Sequence, residues 1–335
     1  MKAILFEGPD TVAMREIDEP KLKDGYVKIK VAYAGICGGD INIYHGTHPR
    51  AKAPLVMGHE LSGTVVEGHP TLEAGTPVTV NPLICCGHCE PCKTGNEHVC
   101  ETLKLLGIDA NGAMAEYILA PIERVVALPE GVDLRTGALI EPIAVAVHTV
   151  RDTGYVPGDS AVIFGAGTIG LCLAITLRSF GCTKLTVVEP NDFRRNLASE
   201  MGFDTINSVD EDVVAAVKAR TNGSGADNVY DCAGHQSVAD VLFDVVKVRG
   251  TIVIVAGYKK KPELNLIQGM FKEFKILFVR VYRDKDFRIA GELIVENEDF
   301  KKLLTNDLVP EQAVEGFDLM LAPGTTAIKV LYKFS

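Results

Sequence analysis

Residues 165–170 read Gly-Ala-Gly-Thr-Ile-Gly, between the apolar run SAVIF and the helical pattern TIGLCLAITLRSF. A glycine-rich turn between a buried strand and a helix narrows the fold more than any other stretch of this chain. Gly165 permits a tight turn, Gly167 lets the backbone approach a pyrophosphate, and Gly170 lets helix and strand pack closely. Thr168 and Ile169 open the helix, whose N-terminus faces the negative charge. Alone the pattern also fits a plain strand–helix turn, so the flanking sequence decides. KLTVVEP precedes NDFRRNLASEM, ADNVYDCAG precedes QSVADVLFDVVK, and TIVIVAG follows. Strands alternating with helices predict βαβ units and a doubly wound parallel sheet covered on both faces. Ala233-Gly234 and Val255-Ala256-Gly257 end the fourth and fifth strands, where such a sheet lines its cofactor crevice. Glu189 ends the second strand. A carboxylate there accepts from ribose hydroxyls and repels a 2′-phosphate, which favours NAD over NADP. Arg194 and Arg195 follow closely and pull the other way.

The first 150 residues have a different texture. YVKIKVAYAGI, LSGTVVEG, PVTVNPLI and MAEYILAP read as short strands among many turns. The change comes near the turn signal Pro157-Gly158-Asp159. After about residue 284 the chain becomes helical, at FRIAGELIVEN. It ends in the strand-like TTAIKVLYKF, which is suited to rejoin the first region. A length of 335 residues is consistent with two domains at ~100–200 residues each. The net charge of −10 argues against a general nucleic-acid partner. No apolar run reaches the ~20 residues of a membrane span, and the N-terminus does not resemble a signal peptide. The expectation is a cytoplasmic protein with no membrane partner.

Five of the nine cysteines fall in CCGHCEPCKTGNEHVC. Cys86, Cys89, Cys92 and Cys100 have the spacing C-x2-C-x2-C-x7-C, which suits a closed tetrahedral zinc site without catalytic work. Redox or regulatory roles remain open, with Cys85 as the additional thiol and His88 and His98 as substitute ligands. Catalysis at a metal needs an open position. The candidates are Cys37 in GICGGD, His59 and Glu60 in GHE, and Glu141 in LIEPIAVAVHTV. Each has a plain alternative: a lone cysteine after an apolar strand also reads as core, and Glu141 ahead of Pro142 as a helix-start acid.

Taken in order, GICGGDIN, GHELSG, the cysteine lobe, NGAMAEY, LIEPIAVAVHTV and GAGTIG resemble the zinc-containing medium-chain alcohol dehydrogenases, especially the sorbitol, butanediol and threonine dehydrogenase branch. The resemblance spans nearly the whole chain. It implies an α/β protein with a GroES-like β-rich catalytic domain, residues 1–150 and 285–335, and a Rossmann NAD-binding domain, residues 151–284. It also implies NAD and two zinc ions per chain. One zinc would be structural, on Cys86, Cys89, Cys92 and Cys100. The other would be catalytic, on Cys37, His59 and Glu141, with Glu60 as a second candidate that binds or releases the metal. His59 and Glu60 would face opposite ways in a regular strand, so the segment must bend for both to serve. Asp40 is expected to orient His59 or a neighbouring backbone group.

Two positions depart from the family pattern. Gly39 stands where a serine or threonine would take the alcohol proton, and Asn42 where a histidine would pass it on. Tyr44, His45 and Thr47, or Glu141 or Glu60 by way of a water, are the candidates to replace them. Arg280, Tyr282 or Arg283 falls where polyol-type relatives place a substrate-binding arginine; Tyr44 is a further candidate substrate contact. The resemblance implies hydride transfer between NAD and the secondary alcohol or ketone of a polyol or sugar derivative, by a homodimer or homotetramer. Two alternatives are a threonine- or butanediol-type dehydrogenase, and a non-catalytic protein that keeps the NAD and zinc sites.

Overall fold

The computed structural model describes residues 1–67 and 69–335. The chain forms two compact units, Met1–Pro142 with Arg283–Ser335, and Ile143–Tyr282. Helix Ile140–Thr153 carries the chain from the first to the second. The junction therefore lies inside a helix, well ahead of the turn signal at Pro157-Gly158-Asp159 where the texture changes, because a continuous helix has no turn signal to mark it.

In the first unit, strand Tyr26–Gly35 is the centre of a mostly antiparallel sheet. It pairs with Glu60–Glu67, with Tyr117–Pro121 and with the returning strand Lys329–Lys333. The alternating apolar residues Val27, Ile29 and Val31 are fully buried there, as expected for a strand with a core-facing side. The register sets Gly35 opposite both Glu60 and Leu331. That pairing brings two strands, far apart in sequence, to one end of the sheet. The segment read as PVTVNPLI is two strands, Pro77–Val80 and Leu83–Ile84. Pro82 has no N–H to continue the ladder.

In the second unit, six parallel strands lie in the order Asp204–Ile206, Lys184–Val188, Ser160–Phe164, Ala226–Asp231, Val246–Ile254, Lys275–Phe278. The strand order reverses between Ser160–Phe164 and Ala226–Asp231, where Phe164 lies opposite Asp231. Helix Thr168–Ser179 is buried at every residue from Gly170 to Leu177, which explains a sequence apolar on all sides. Phe164, Val188, Val229 and Ile252 fill the interior, each contributing roughly 1.5–3 kcal/mol. The helical pattern expected through Lys247 ends at Val245, and a strand begins at Val246. Val246 pairs with Ala226, so sheet pairing overrides the helical period. Among the described residues no helix is long and apolar enough to cross a membrane.

Candidate active site

Cys37 caps helix Gly38–Tyr44 with an extended backbone, and its Sγ accepts the Gly39 N–H at 3.4 Å. The Cys37 N–H in turn donates to Asp40 Oδ2 at 2.9 Å. One helical turn thus fixes thiol and carboxylate together. Across the sheet, Gly58 takes φ +90 and His59 lies just ahead of the strand that begins at Glu60. This bend lets neighbouring side chains serve one cluster. Cys37, His59 and Glu60 each offer a ligand atom, all within 4.8 Å of one another.

The surroundings are closed and charged. Asp40 is fully buried, and His59, Glu60 and Glu141 are nearly so. His59 Nδ1 faces Asp40 Oδ1 at 3.8 Å, and neither atom has a hydrogen-bond partner. Burial disfavours the imidazolium, but Asp40 and then Cys37 outweigh it and hold the His59 pKa well above its ordinary value. Burial pushes the Asp40 carboxyl up, while His59 pulls it back. Glu60 is paired with Lys329, whose Nζ also donates to the Ile36 carbonyl at 2.8 Å. Burial opposes charge on Lys329, yet Glu60 and then Cys37 keep its pKa raised. Gly35 makes this possible: a Cβ there would lie 2.2 Å from Glu60 Oε2. Glu141, in the first turn of helix Ile140–Thr153, acts electrostatically on both His59 and Lys329. Sulfur, imidazole and carboxylate donors suit zinc. The two facing buried atoms, His59 Nδ1 and Asp40 Oδ1, are what a metal-bound histidine needs behind it.

The other sequence candidates are distributed unevenly. His45 turns its Nδ1 to Asp10 at 2.7 Å on an exposed face, and Thr47 donates to the Asn42 carbonyl at 3.1 Å. Neither is brought to the cluster. Tyr44 stacks on Phe317, ring centres 5.0 Å apart. Arg280 is exposed, Tyr282 is fully buried, and Arg283 precedes helix Asp284–Glu296, its N–H held by Asp286 Oδ2. Lys329 and Gly35 belong to no motif that marks the site in the sequence. A lysine set among Ala327, Ile328, Val330 and Leu331 was the available signal.

Cys86, Cys89, Cys92 and Cys100 form a second cluster with sulfurs within 4.8 Å. The Cys89 N–H donates to Cys86 Sγ at 3.3 Å and the Cys86 N–H to Cys100 Sγ at 3.4 Å. Main-chain N–H groups lower the Cys86 pKa to about 6, and burial with shared thiol hydrogen bonds raises Cys92 to about 12. A cluster that stabilises its first thiolate but resists full ionisation is suited to a cation that neutralises the rest. Cys85 stands apart, its thiol on the Glu97 carbonyl, and His88 turns to the Cys86 carbonyl.

In the second unit Gly165 takes φ +97, and a Cβ on Gly170 would fall 1.8 Å from its carbonyl oxygen. Glu189 accepts the Ala166 N–H at 2.6 Å and the Asn191 N–H at 2.9 Å. Its carboxylate is thus fixed beside the glycine turn. Gly165, Gly167, Glu189, Arg194, Ala233 and Val241 help to line a cavity of about 770 Å³. A Cβ on Gly167 would come within 3.8 Å of Arg194 Nη1.

Comparison with known proteins places this arrangement. Residues 23–130 match the alcohol dehydrogenase GroES-like domain, and residues 168–296 match the zinc-binding dehydrogenase family. The chain is 40% identical over 287 residues to the 2-dehydro-3-deoxy-L-galactonate 5-dehydrogenase of Pseudoalteromonas atlantica, covering 84% of each. It is 33% identical to the L-threonine 3-dehydrogenase of Caldanaerobacter subterraneus subsp. tengcongensis, over 97% of this chain and 96% of that one. The crystal structure of 2R,3R-butanediol dehydrogenase from Bacillus subtilis superposes with a TM-score of 0.91 at 30% identity, over 99% of both chains. With both domain families matched and the whole length shared with such relatives, the chain belongs to the zinc-type medium-chain alcohol dehydrogenases.

Proposed function

We propose that this chain oxidises the secondary alcohol of a sugar-acid or polyol derivative, or reduces the matching ketone, with NAD and zinc. The observation that carries this reading is the cluster of half-buried Cys37 with buried His59 and Glu60, backed by Asp40 and Lys329. The substrate class rests on the sugar-acid dehydrogenase at 40% identity.

Cys37 and His59 would hold the catalytic zinc with Glu60 or Glu141, and Cys86, Cys89, Cys92 and Cys100 the structural one. The bound zinc supplies Lewis acidity to the substrate oxygen, and the dinucleotide accepts or returns hydride. The chain's own residues do the rest. The Asp40 carboxylate orients the His59 ring and fixes which nitrogen carries the proton. Lys329 offsets the charge of Glu60, so a thiolate and one further carboxylate balance a dication. Gly39 and Asn42 have no basic side chain, so the alcohol proton would leave by way of a water to Glu60, gathered with Cys37 and His59, or to Glu141, which acts electrostatically on His59. Glu189, already holding two backbone N–H groups, keeps free lone pairs for ribose hydroxyls and opposes a 2′-phosphate.

NADH formation followed at 340 nm tests the reading, with a panel of aldonates, deoxy-keto-aldonates, hexitols, threonine and 2,3-butanediol. Turnover should be lost on chelation and restored by zinc. No turnover across the panel, with one zinc per chain, would favour the non-catalytic alternative that the missing relay groups at Gly39 and Asn42 keep in view.

A homo-oligomer fits the surface. Leu266, Ile267, Met270 and Phe271 are each more than 60% exposed on helix Leu266–Lys272, as is Phe278 on the edge strand Lys275–Phe278. An apolar patch beside an open strand edge is suited to a second copy, and light scattering reads the assembly directly. A reducing compartment, the cytoplasm, suits a cysteine lobe that must stay as thiolate.

A further inference from the structure

Asp231 ends the strand at which the parallel sheet reverses its order, and it is fully buried. Its Oδ1 accepts the Ala233 and Gly234 N–H groups at 3.0 and 2.9 Å. Its Oδ2 accepts the Tyr258 hydroxyl at 2.5 Å. Its main-chain carbonyl accepts the Val255 and Ala256 N–H groups at 3.0 and 2.9 Å. One residue therefore binds both strand-end segments, 232–234 and 255–258.

These segments also touch each other and the glycine turn. A Cβ on Gly234 would meet the Ala256 Cβ at 3.0 Å, and one on Gly165 would meet Ala233 at 3.4 Å. Ligands of such sheets lie outside the carboxyl ends of the strands at the reversal. Tyr258 is the only side chain among the described residues that bonds the Asp231 carboxylate, and it comes from beyond the fifth strand. Without its hydroxyl the 255–258 segment keeps its two backbone bonds at one end and loses its tie at the other.

We propose that Tyr258 is a positioning residue for the dinucleotide: through Asp231 it fixes the relative placement of segments 232–234 and 255–258, against which the nicotinamide-bearing half of the cofactor is held. The proposal rests on the dinucleotide reading above. Fixing this placement before binding removes an ordering cost that would otherwise be taken from affinity.

The test is Tyr258→Phe in the zinc-loaded protein, which removes one oxygen and keeps the ring volume. NADH affinity is measured by fluorescence titration, and 5′-AMP, a probe of the adenine half alone, by calorimetry. NADH affinity should fall about fivefold or more, with 5′-AMP affinity held within about twofold. The KM for NAD should rise by more than kcat falls. Unchanged NADH affinity, or an equal loss for both probes, overturns the positioning role. A parent protein that binds 5′-AMP and NADH equally weakly overturns the dinucleotide reading itself, and this role with it.

Discussion

Lys329 Nζ lies 2.6 Å from Glu60 Oε2, and both side chains are closed off from solvent. A buried pair of this kind adds little net stability, because desolvation offsets its attraction, but it costs much to halve: removing one partner strands a charge, at roughly 3–5 kcal/mol. Lys329→Met should therefore lower the urea-unfolding free energy by about that much in the metal-free protein. Lys329→Met combined with Glu60→Gln should recover most of the loss. Single and double variants equally unstable would show that the pair is not the cause.

Asp40→Asn tests the support behind the metal ligand. The Cys37 N–H keeps an oxygen acceptor, but an amide NH₂ then faces His59 Nδ1 and favours the tautomer whose other nitrogen carries the proton. That nitrogen no longer offers a lone pair. Zinc affinity at this site should fall about 10–100-fold, while the cysteine lobe keeps its ion. Dialysed protein would drop from about two zinc ions per chain to about one by elemental analysis. Retention of both would remove Asp40 from this role.

The same contact predicts opposite pH responses with and without metal. In the metal-free protein the His59 pKa is held above its ordinary value of ~6.5 by Asp40 and Cys37. A raised value stabilises the fold fully below about pH 6.5, and that stabilisation is lost as pH rises through the folded-state pKa. Zinc reverses the slope, because it needs a neutral imidazole and a thiolate, and protons compete less as pH rises. Thermal unfolding between about pH 6 and 9 should fall with pH after chelation and rise with saturating zinc. Parallel slopes would contradict the placement of His59.

The sequence was most legible where local rules govern. The glycine turn, the alternating strands and helices, and the cysteine spacing can all be read from short windows, since strand period, turn chemistry and ligand spacing are local. What stayed hidden depends on register. Nothing near Glu60 in the sequence points to Lys329; they meet because both strands flank Tyr26–Gly35 and because Gly35 leaves room. His45, near Cys37 in sequence, ends on Asp10 because its short helix turns it to an exposed face. Likewise Asp231 and Tyr258 are joined only by the pairing of Ala226–Asp231 with Val246–Ile254.

Glu189 should set the choice of dinucleotide. Both carboxylate oxygens hold backbone N–H groups of their own unit, at 2.6 Å from Ala166 and 2.9 Å from Asn191, so the side chain cannot swing away to admit a 2′-phosphate. Arg194, beside Gly167, is the cation that would welcome one if the carboxylate were gone. Glu189→Gln keeps one oxygen acceptor and removes the charge. The parent should prefer NAD over NADP in kcat/KM, and the variant should lose about 10–100-fold of that preference, the worth of ~1–3 kcal/mol of repulsion. Part of the change should be a gain with NADP, not only a loss with NAD, because specificity built on repulsion is relieved when the repelling group goes. Double replacement with Arg194→Ala should cancel that gain. If Glu189→Gln weakens both dinucleotides alike, Glu189 only holds the turn in shape and the preference lies elsewhere.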